Sequence, residues 1–421
     1  MANAFSKEER VAFEAILEGF EDSMVLSKNV NLYNGLGEAE DERTDDVIWR
    51  PMPYIAQSFD GSDQSANFKD YTQLSVPSTV GYDKSVPWTM TAKQLRDALQ
   101  EERLGVAARQ KLASDINVAV MNVASLQGTI VSKRTVAATG FDDIALCDAL
   151  MTEVGVNEYD RYYQASPRDY NNMASNLASR TLMPKSVSSY EKAYVGPVSG
   201  FETFKMNYAY RLAAAAGGGA LTIDTQASAN NYYVPEATST AATGERSNVD
   251  NRYQTITISA TTNVAAGDCF TIAGINACHH ITKGDTGQLK TFRVISVDSG
   301  TTMTISPPIV SNQGGSDAEA EYQNTTVTAS ATAAIVFLNT AAAYVNPFWH
   351  RDAIELRPST IAPPMDAGAA IMRGSTEQGI GLTMQKQYDI KTRKTFYRID
   401  TQFGVTMVQP EMAGLQLFSQ T

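Results

Sequence analysis

The chain contains three histidines, His279, His280 and His350, so any imidazole acid or base must be one of them. Cys278, His279 and His280 are the most metal-like run. Adjacent strand residues point to opposite faces, however, and no second ligand pair stands at zinc spacing, so the expectation is a structural role and no metal. His350 lies in Asn346-Pro347-Phe348-Trp349-His350-Arg351-Asp352. A His–Asp pair there could orient a base, but no nucleophile accompanies it; Phe348 and Trp349 suggest packing, and the charged neighbours a solvated rim. The nucleophile elbow GxSxG, the zinc motif HExxH, the phosphate loop GxxxxGK[ST] and acidic calcium loops are all absent. The Ala213–Gly219 tract lacks the Lys-Ser/Thr pair that would meet a phosphate and reads as a linker. Asn324-Thr325-Thr326 has the form of a glycosylation acceptor, which is irrelevant to a cytoplasmic chain. The residues therefore predict no enzyme, no catalytic site and no cofactor.

The elements that would carry these residues are varied. With 421 residues, 43% of them apolar, the chain is long enough for two or three units. Its net charge of -12 argues against broad binding to nucleic acid or anionic membranes. The N-terminal residues do not read as a signal peptide and no long apolar run occurs, so the expected compartment is the cytoplasm, with no membrane association. Cys147, Cys269 and Cys278 form no framework, which suits free thiols.

Ser6 and Glu9 have capping-box spacing, and Phe13, Ile16, Leu17 and Phe20 recur at helical intervals, predicting an amphipathic arm helix that is tethered rather than embedded. Glu14 and Glu18 fall on its polar side. A polar connector, Gly35 to Asp46, precedes extended segments at Val47–Phe59 and Tyr71–Val80, which suggest a projecting hairpin. Thr91 and Gln94 start a helix running to about Arg103, and a longer helix follows to Gly128. From Leu221 to Asn339 short Thr-, Ser-, Val- and Ile-rich strands indicate an inserted β-barrel or sandwich. Strand patterning returns at Tyr388–Val408, with Thr392–Lys394 as the turn.

The order of several short segments resembles the coat proteins of P22-like short-tailed bacteriophages. The clearest is Val249-Asp250-Asn251-Arg252-Tyr253, continuing through Thr255–Thr262 to Gly267-Asp268-Cys269-Phe270-Thr271-Ile272-Ala273-Gly274. Ile48-Trp49-Arg50-Pro51, Gly200-Phe201-Glu202, Asn346-Pro347-Phe348-Trp349 and Asp352-Ala353-Ile354 follow in the family's order. The resemblance implies an α+β chain of the Hong Kong-97 capsid type with an inserted all-β barrel. It divides the chain into an arm (1–46), an E-loop hairpin (47–86) and a peripheral domain with a spine helix (87–128). A first axial/peripheral part (129–220), the inserted barrel (221–342), a second axial part (343–384) and peripheral C-terminal strands (385–421) follow. The implied function is a virion shell of pentamers and hexamers, assembled in the host bacterial cytoplasm around an internal scaffolding protein, with a portal at one vertex and double-stranded DNA enclosed without sequence-specific grip. Glu245 and Arg246 are then the candidate inter-subunit contact, and Glu14 and Glu18 the candidate scaffolding contact. A tail or adhesion protein whose β-block binds a ligand is the alternative, and a hydrolase built on His350 a third reading.

Overall fold

The computed structural model describes residues 5, 7–23, 25–33, 47–65, 67–91, 98–179, 192, 195–216, 221–224, 232–359, 361, 369–376 and 378–421. Ser6, the connector Gly35–Asp46, Gln94 and Gly217–Gly219 lie outside them, and with them the two capping boxes and the glycines of the linker. The chain divides into two compact units, residues 1–48, 78–121 and 354–406 in the first and 49–77, 122–353 and 407–421 in the second.

In the first unit the arm helix, Lys7–Ser23, buries Phe13, Ile16 and Phe20. The arm is thus embedded, contrary to the tethered arm expected. An apolar stripe of that width is stable only against a partner, and two glycines provide one by close approach. A Cβ on Gly105 of the long helix would meet the Ile16 side chain at 2.5 Å, and one on Gly19 would meet the Arg109 guanidinium at 1.9 Å. Leu26 then donates its amide to Asn117 Oδ1 at 3.2 Å. The long helix is one continuous element, Ala98–Gln127, where the sequence suggested two.

The sheet of this unit runs in the order Asn31–Leu32, Ile354–Ser359, Lys394–Met407, Gly381–Asp389, Ala370–Ser375, and Tyr82–Thr91 also pairs with Lys394–Met407. Tyr82–Thr91 was not foreseen as a strand. Its alternation is carried by Tyr82, Val86, Trp88 and Met90, and Pro87, which reads as a strand breaker, sits opposite Arg398 in an unbroken register. Trp88 stacks on Tyr397 at 5.5 Å and Tyr82 on Phe403 at 5.1 Å.

The second unit contains a five-stranded sheet in the order Ile130–Lys133, Ala413–Leu417, Asn346–His350, Arg161–Ala165, Phe201–Lys205. Helices Phe141–Val154 and Pro167–Ala178 supply Ile144, Cys147, Met151, Tyr170 and Met173 to its core, around Tyr163, Phe201 and Phe348. Arg211–Leu212 and Ala343–Tyr344 pair antiparallel, so the chain leaves and re-enters this body through one two-stranded stalk.

Beyond the stalk, strands Gln254–Thr257, Thr302–Ser306, Asp285–Val297, Cys269–Cys278 and Ile335–Phe337 form a second five-stranded sheet. Bridges Thr222↔Ala334 and Ile223↔Ile258 join its two edges and close a barrel. Ile256, Phe270, Ile272, Phe292, Val294, Met303 and Ile305 fill it. The hairpin expected over Val47–Phe59 and Tyr71–Val80 has ladder strands only at Val47–Pro51 and Ser75–Thr79. Pro51 and Pro53 lack the N–H a longer ladder requires.

The Gly105 approach makes a graded prediction. Gly105→Ala gains helix propensity while displacing only the tip of Ile16, so the two effects nearly cancel. Gly105→Val should destabilise the chain by about 1–3 kcal/mol through overpacking. Denaturant unfolding, with proteolysis reporting on the arm, checks both; equal stability of the two variants would contradict the packing.

Candidate functional site

Glu14 and Glu18 are exposed on the arm helix, opposite the buried Phe13, Ile16 and Phe20. Glu245 and Arg246 sit at the end of a two-stranded loop, Thr238–Thr240 paired with Arg246–Asn248. The turn needs Gly244 at φ +85°, a conformation that other residues rarely adopt. Its amide donates to the Ala241 carbonyl, and the Ala241 amide to that of Glu245, both at 2.8 Å. Arg246 donates to Thr238 Oγ1 at 3.0 Å, and residues 241–248 are all exposed. Asn251 holds the loop's base: its Nδ2 donates to the Glu236 carbonyl at 2.8 Å, and its Oδ1 accepts from the Glu236 amide at 3.0 Å. The loop therefore presents a carboxylate and a guanidinium on a short ribbon with an ordered foot. The structure does not bring Glu245 and Arg246 together with Glu14 and Glu18 in one unit.

The residues that could have done chemistry are packed instead. His279 Nδ1 accepts from the amides of Ile281 and Thr282 at 3.2 Å, shaping a turn, and its ring lies where a Cβ on Gly155 would stand. Cys278 is buried, which pushes its thiol up. No cluster of three or more His, Cys, Asp or Glu suited to a metal occurs among the described residues. His350 is buried on its strand, 2% exposed, while its charged neighbours Arg351 and Asp352 are exposed; its Nδ1 accepts from the Asp352 amide at 3.2 Å. Burial lowers its imidazole below the usual range, and Nε2 meets no partner among the described residues.

A set of buried charges joins the barrel to the body that carries it. Arg293 is fully buried and donates to the Ser125 carbonyl, in the last turn of the long helix, at 2.8 Å. It thereby supplies a cation where helix carbonyls lack partners. Thr291 Oγ1 donates to the Thr129 carbonyl and accepts from the Val131 amide. Arg252 binds Asp250 through two nitrogens and donates to the Met407 carbonyl at 2.6 Å. Lys290 is ion-paired with Glu411, which also accepts from Asn324 at 3.2 Å.

His280 Nε2 lies 3.8 Å from Glu411. Burial alone would raise the Glu411 carboxyl, but Lys290, His280 and Asn324 outweigh it and hold it low. Burial drives His280 down to about 4 despite Glu411, helped by Lys290 and Lys283. Burial likewise lowers Lys283 to about 8. Nothing in the sequence marks Lys290, Arg293 and Glu411 for this role. Thr291 and Arg293 occupy the outward positions of a barrel strand, which normally face water.

Removing one partner of a buried pair leaves the other uncompensated, so Lys290→Ala should cost about 3–5 kcal/mol, and Lys290→Met with Glu411→Met far less. A thermodynamic cycle of urea midpoints tests the coupling, and additive losses would refute it. His280 stays neutral when folded but takes up a proton near 6.5 when unfolded. Its contribution is therefore intact above pH 6.5, drains as the pH falls towards about 4, and stays lost below. His280→Gln should flatten the fall in unfolding midpoint between pH 6.5 and about 4; an unchanged slope would contradict this environment.

The sequence profile of the family described as P22 coat protein, gene protein 5, matches residues 1–419. Among solved structures the chain is similar to one from Mycobacterium phage Che8, with 11% identity, 94% of this chain and 92% of that chain covered, and a TM-score of 0.44. The capsid structure of cyanophage P-SCSP1u matches at 9% identity over 94% of this chain and 89% of that one, TM-score 0.43. The coat protein I-domain of CUS-3 matches at 40% identity over 28% of this chain and 96% of that one, TM-score 0.23. The match over nearly the whole length settles the family: the chain belongs to the P22 coat proteins, the major capsid proteins whose copies form the icosahedral shell of a tailed phage virion, a structural role and not an enzymatic one.

Proposed function

We propose that this coat protein assembles as pentamers and hexamers around an internal scaffolding protein, leaves one vertex to a portal, and encloses double-stranded DNA that it does not bind by sequence. The observation that carries the scaffolding part is the arm helix. Its apolar side is used up within the subunit, while Glu14 and Glu18 stay exposed on a rigid helical face. A rigid acidic face suits a basic partner segment, where opposite charge speeds encounter and sets orientation. The attraction weakens with salt, as screening shortens to about 8 Å at physiological ionic strength. The net charge of -12 fits a shell that contains DNA without gripping it.

The ribbon carrying Glu245 and Arg246 is the proposed contact between subunits. An exposed ion pair contributes only about 0.2–1 kcal/mol, but a closed shell repeats it at every equivalent position. The seven-part division proposed from the resemblance assigns this ribbon, within residues 221–342, to the inserted domain.

Two measurements test these contacts. Glu14→Lys with Glu18→Lys should leave the subunit folded while scaffold-assisted assembly, followed by light scattering and negative-stain microscopy, slows or yields misshapen particles; normal assembly at low salt would place the scaffolding site elsewhere. Glu245→Arg with Arg246→Glu should lower the dissociation midpoint of assembled particles far more than the unfolding midpoint of the free subunit. Equal shifts would remove the ribbon from the interface.

A further inference from the structure

Beyond its strands, the hairpin between Pro51 and Ser75 keeps one cross-strand bond at its root, from the Met52 amide to the Leu74 carbonyl at 2.8 Å, and one ring contact, Tyr54 with Tyr71 at 6.3 Å. Met52, Pro53, Ile55 and the buried Leu74 line one side of a cavity of about 390 Å³. The hairpin's returning arm is held by a short helix of the inserted domain, Asp317–Tyr322. Lys69 is ion-paired with Asp317, the Thr72 amide donates to Glu321 Oε2 at 3.2 Å, and the Tyr322 hydroxyl donates to the Thr72 carbonyl at 3.0 Å. The helix is itself braced at both ends. Ser316 and Glu319 form a reciprocal cap at its start, and Lys283 donates to the carbonyls of Glu321 and Gln323 at its end, at 2.6 and 3.2 Å.

The hold is placed so that it leaves the far end of the hairpin uncovered. Phe68 is 87% exposed and Phe59 44%, while Gln64 and Asn67 close the loop between them by hydrogen bonds to Gly61 and to each other. A contact built to inhibit assembly would cover those rings. This one orders the segment behind them and leaves them in solvent.

We propose that the helix Asp317–Tyr322 is a mount that fixes the direction of the hairpin in the free subunit, so that its aromatic end meets a second copy of this chain already ordered. Ordering the segment beforehand removes entropy that association would otherwise have to overcome.

Hydrogen exchange on the free subunit, read together with assembly kinetics, tests the mount. Lys69→Asp lies outside the helix and should raise exchange across residues 55–73 roughly tenfold, the scale of one weak ion pair with its neighbouring bonds. Assembly should slow several-fold and the unfolding midpoint stay the same. Lys69→Asp combined with Asp317→Lys should restore both readouts. Tyr322→Phe, which deletes one hydroxyl, should give a smaller change in the same direction. Unchanged exchange in Lys69→Asp would show that the contact does not hold the hairpin. Raised exchange with unchanged or faster assembly would overturn the mount and identify a restraint instead. These readouts use the subunit and its self-assembly, so they stand apart from the scaffolding contact at Glu14 and Glu18.

Discussion

Burial of three cations where the inserted barrel meets its host body is the interaction on which the second unit depends. Arg252, Lys290 and Arg293 are each less than a tenth exposed, and each ends on a group of the host segments: the Met407 carbonyl, Glu411 and the Ser125 carbonyl. The desolvation penalty is several kcal/mol per ion, and it is offset by ion pairs at Arg252 and Lys290 and by hydrogen bonds to the Ser125 carbonyl and Cys269 Sγ at Arg293. The geometry therefore has one low-energy docking. An apolar seam would tolerate sliding, whereas a guanidinium that must reach a particular helix carbonyl does not. Arg252 and Asn251 also place the family's Val249–Tyr253 segment in physical terms: one residue clamps the barrel to the body, and the next holds the foot of the exposed ribbon.

This rigidity bears on how a shell is built. A subunit of closed particles must present its contact surfaces at fixed angles, since small errors accumulate around a ring. Here each exposed candidate surface stands on a braced element: the acidic arm face on a helix packed against Gly105, the charged ribbon on Asn251, and the aromatic hairpin on a doubly capped helix turn. The groups that could have served catalysis are part of the bracing. His280 sits beside the charge cluster and His350 in a sheet, each with its proton affinity lowered by burial.

What could be read in the sequence was whatever shows as periodicity or punctuation. The barrel strands, the arm stripe of Phe13, Ile16 and Phe20, and the C-terminal ribbon all alternate or recur, so their types were visible. Embedding of the arm was not visible, because it depends on glycines spaced far along the chain, Gly19 and Gly105, that read as ordinary helix weakeners. The strand Tyr82–Thr91 was hidden by Pro87 and by the adjacent charges Asp83 and Lys84, which fall one on each face. The barrel's docking was hidden for a deeper reason: Thr291 and Arg293 have the pattern of a solvated strand face, and only the fold reveals that the host body covers it. Family resemblance filled part of that gap by order of segments, without saying which side chains hold them together.

Site-resolved hydrogen exchange on the full-length chain with Arg293→Met tests the docking seam most directly. Methionine keeps most of the volume and removes the charge that reaches Ser125. Amides around Phe270, Phe292 and Val294 should keep their protection, because the barrel is closed on itself, while those of Thr129–Lys133 and Ala413–Leu417 lose it. Loss of protection throughout the barrel, or none anywhere, would contradict the claim that a buried cation fixes one closed domain onto another.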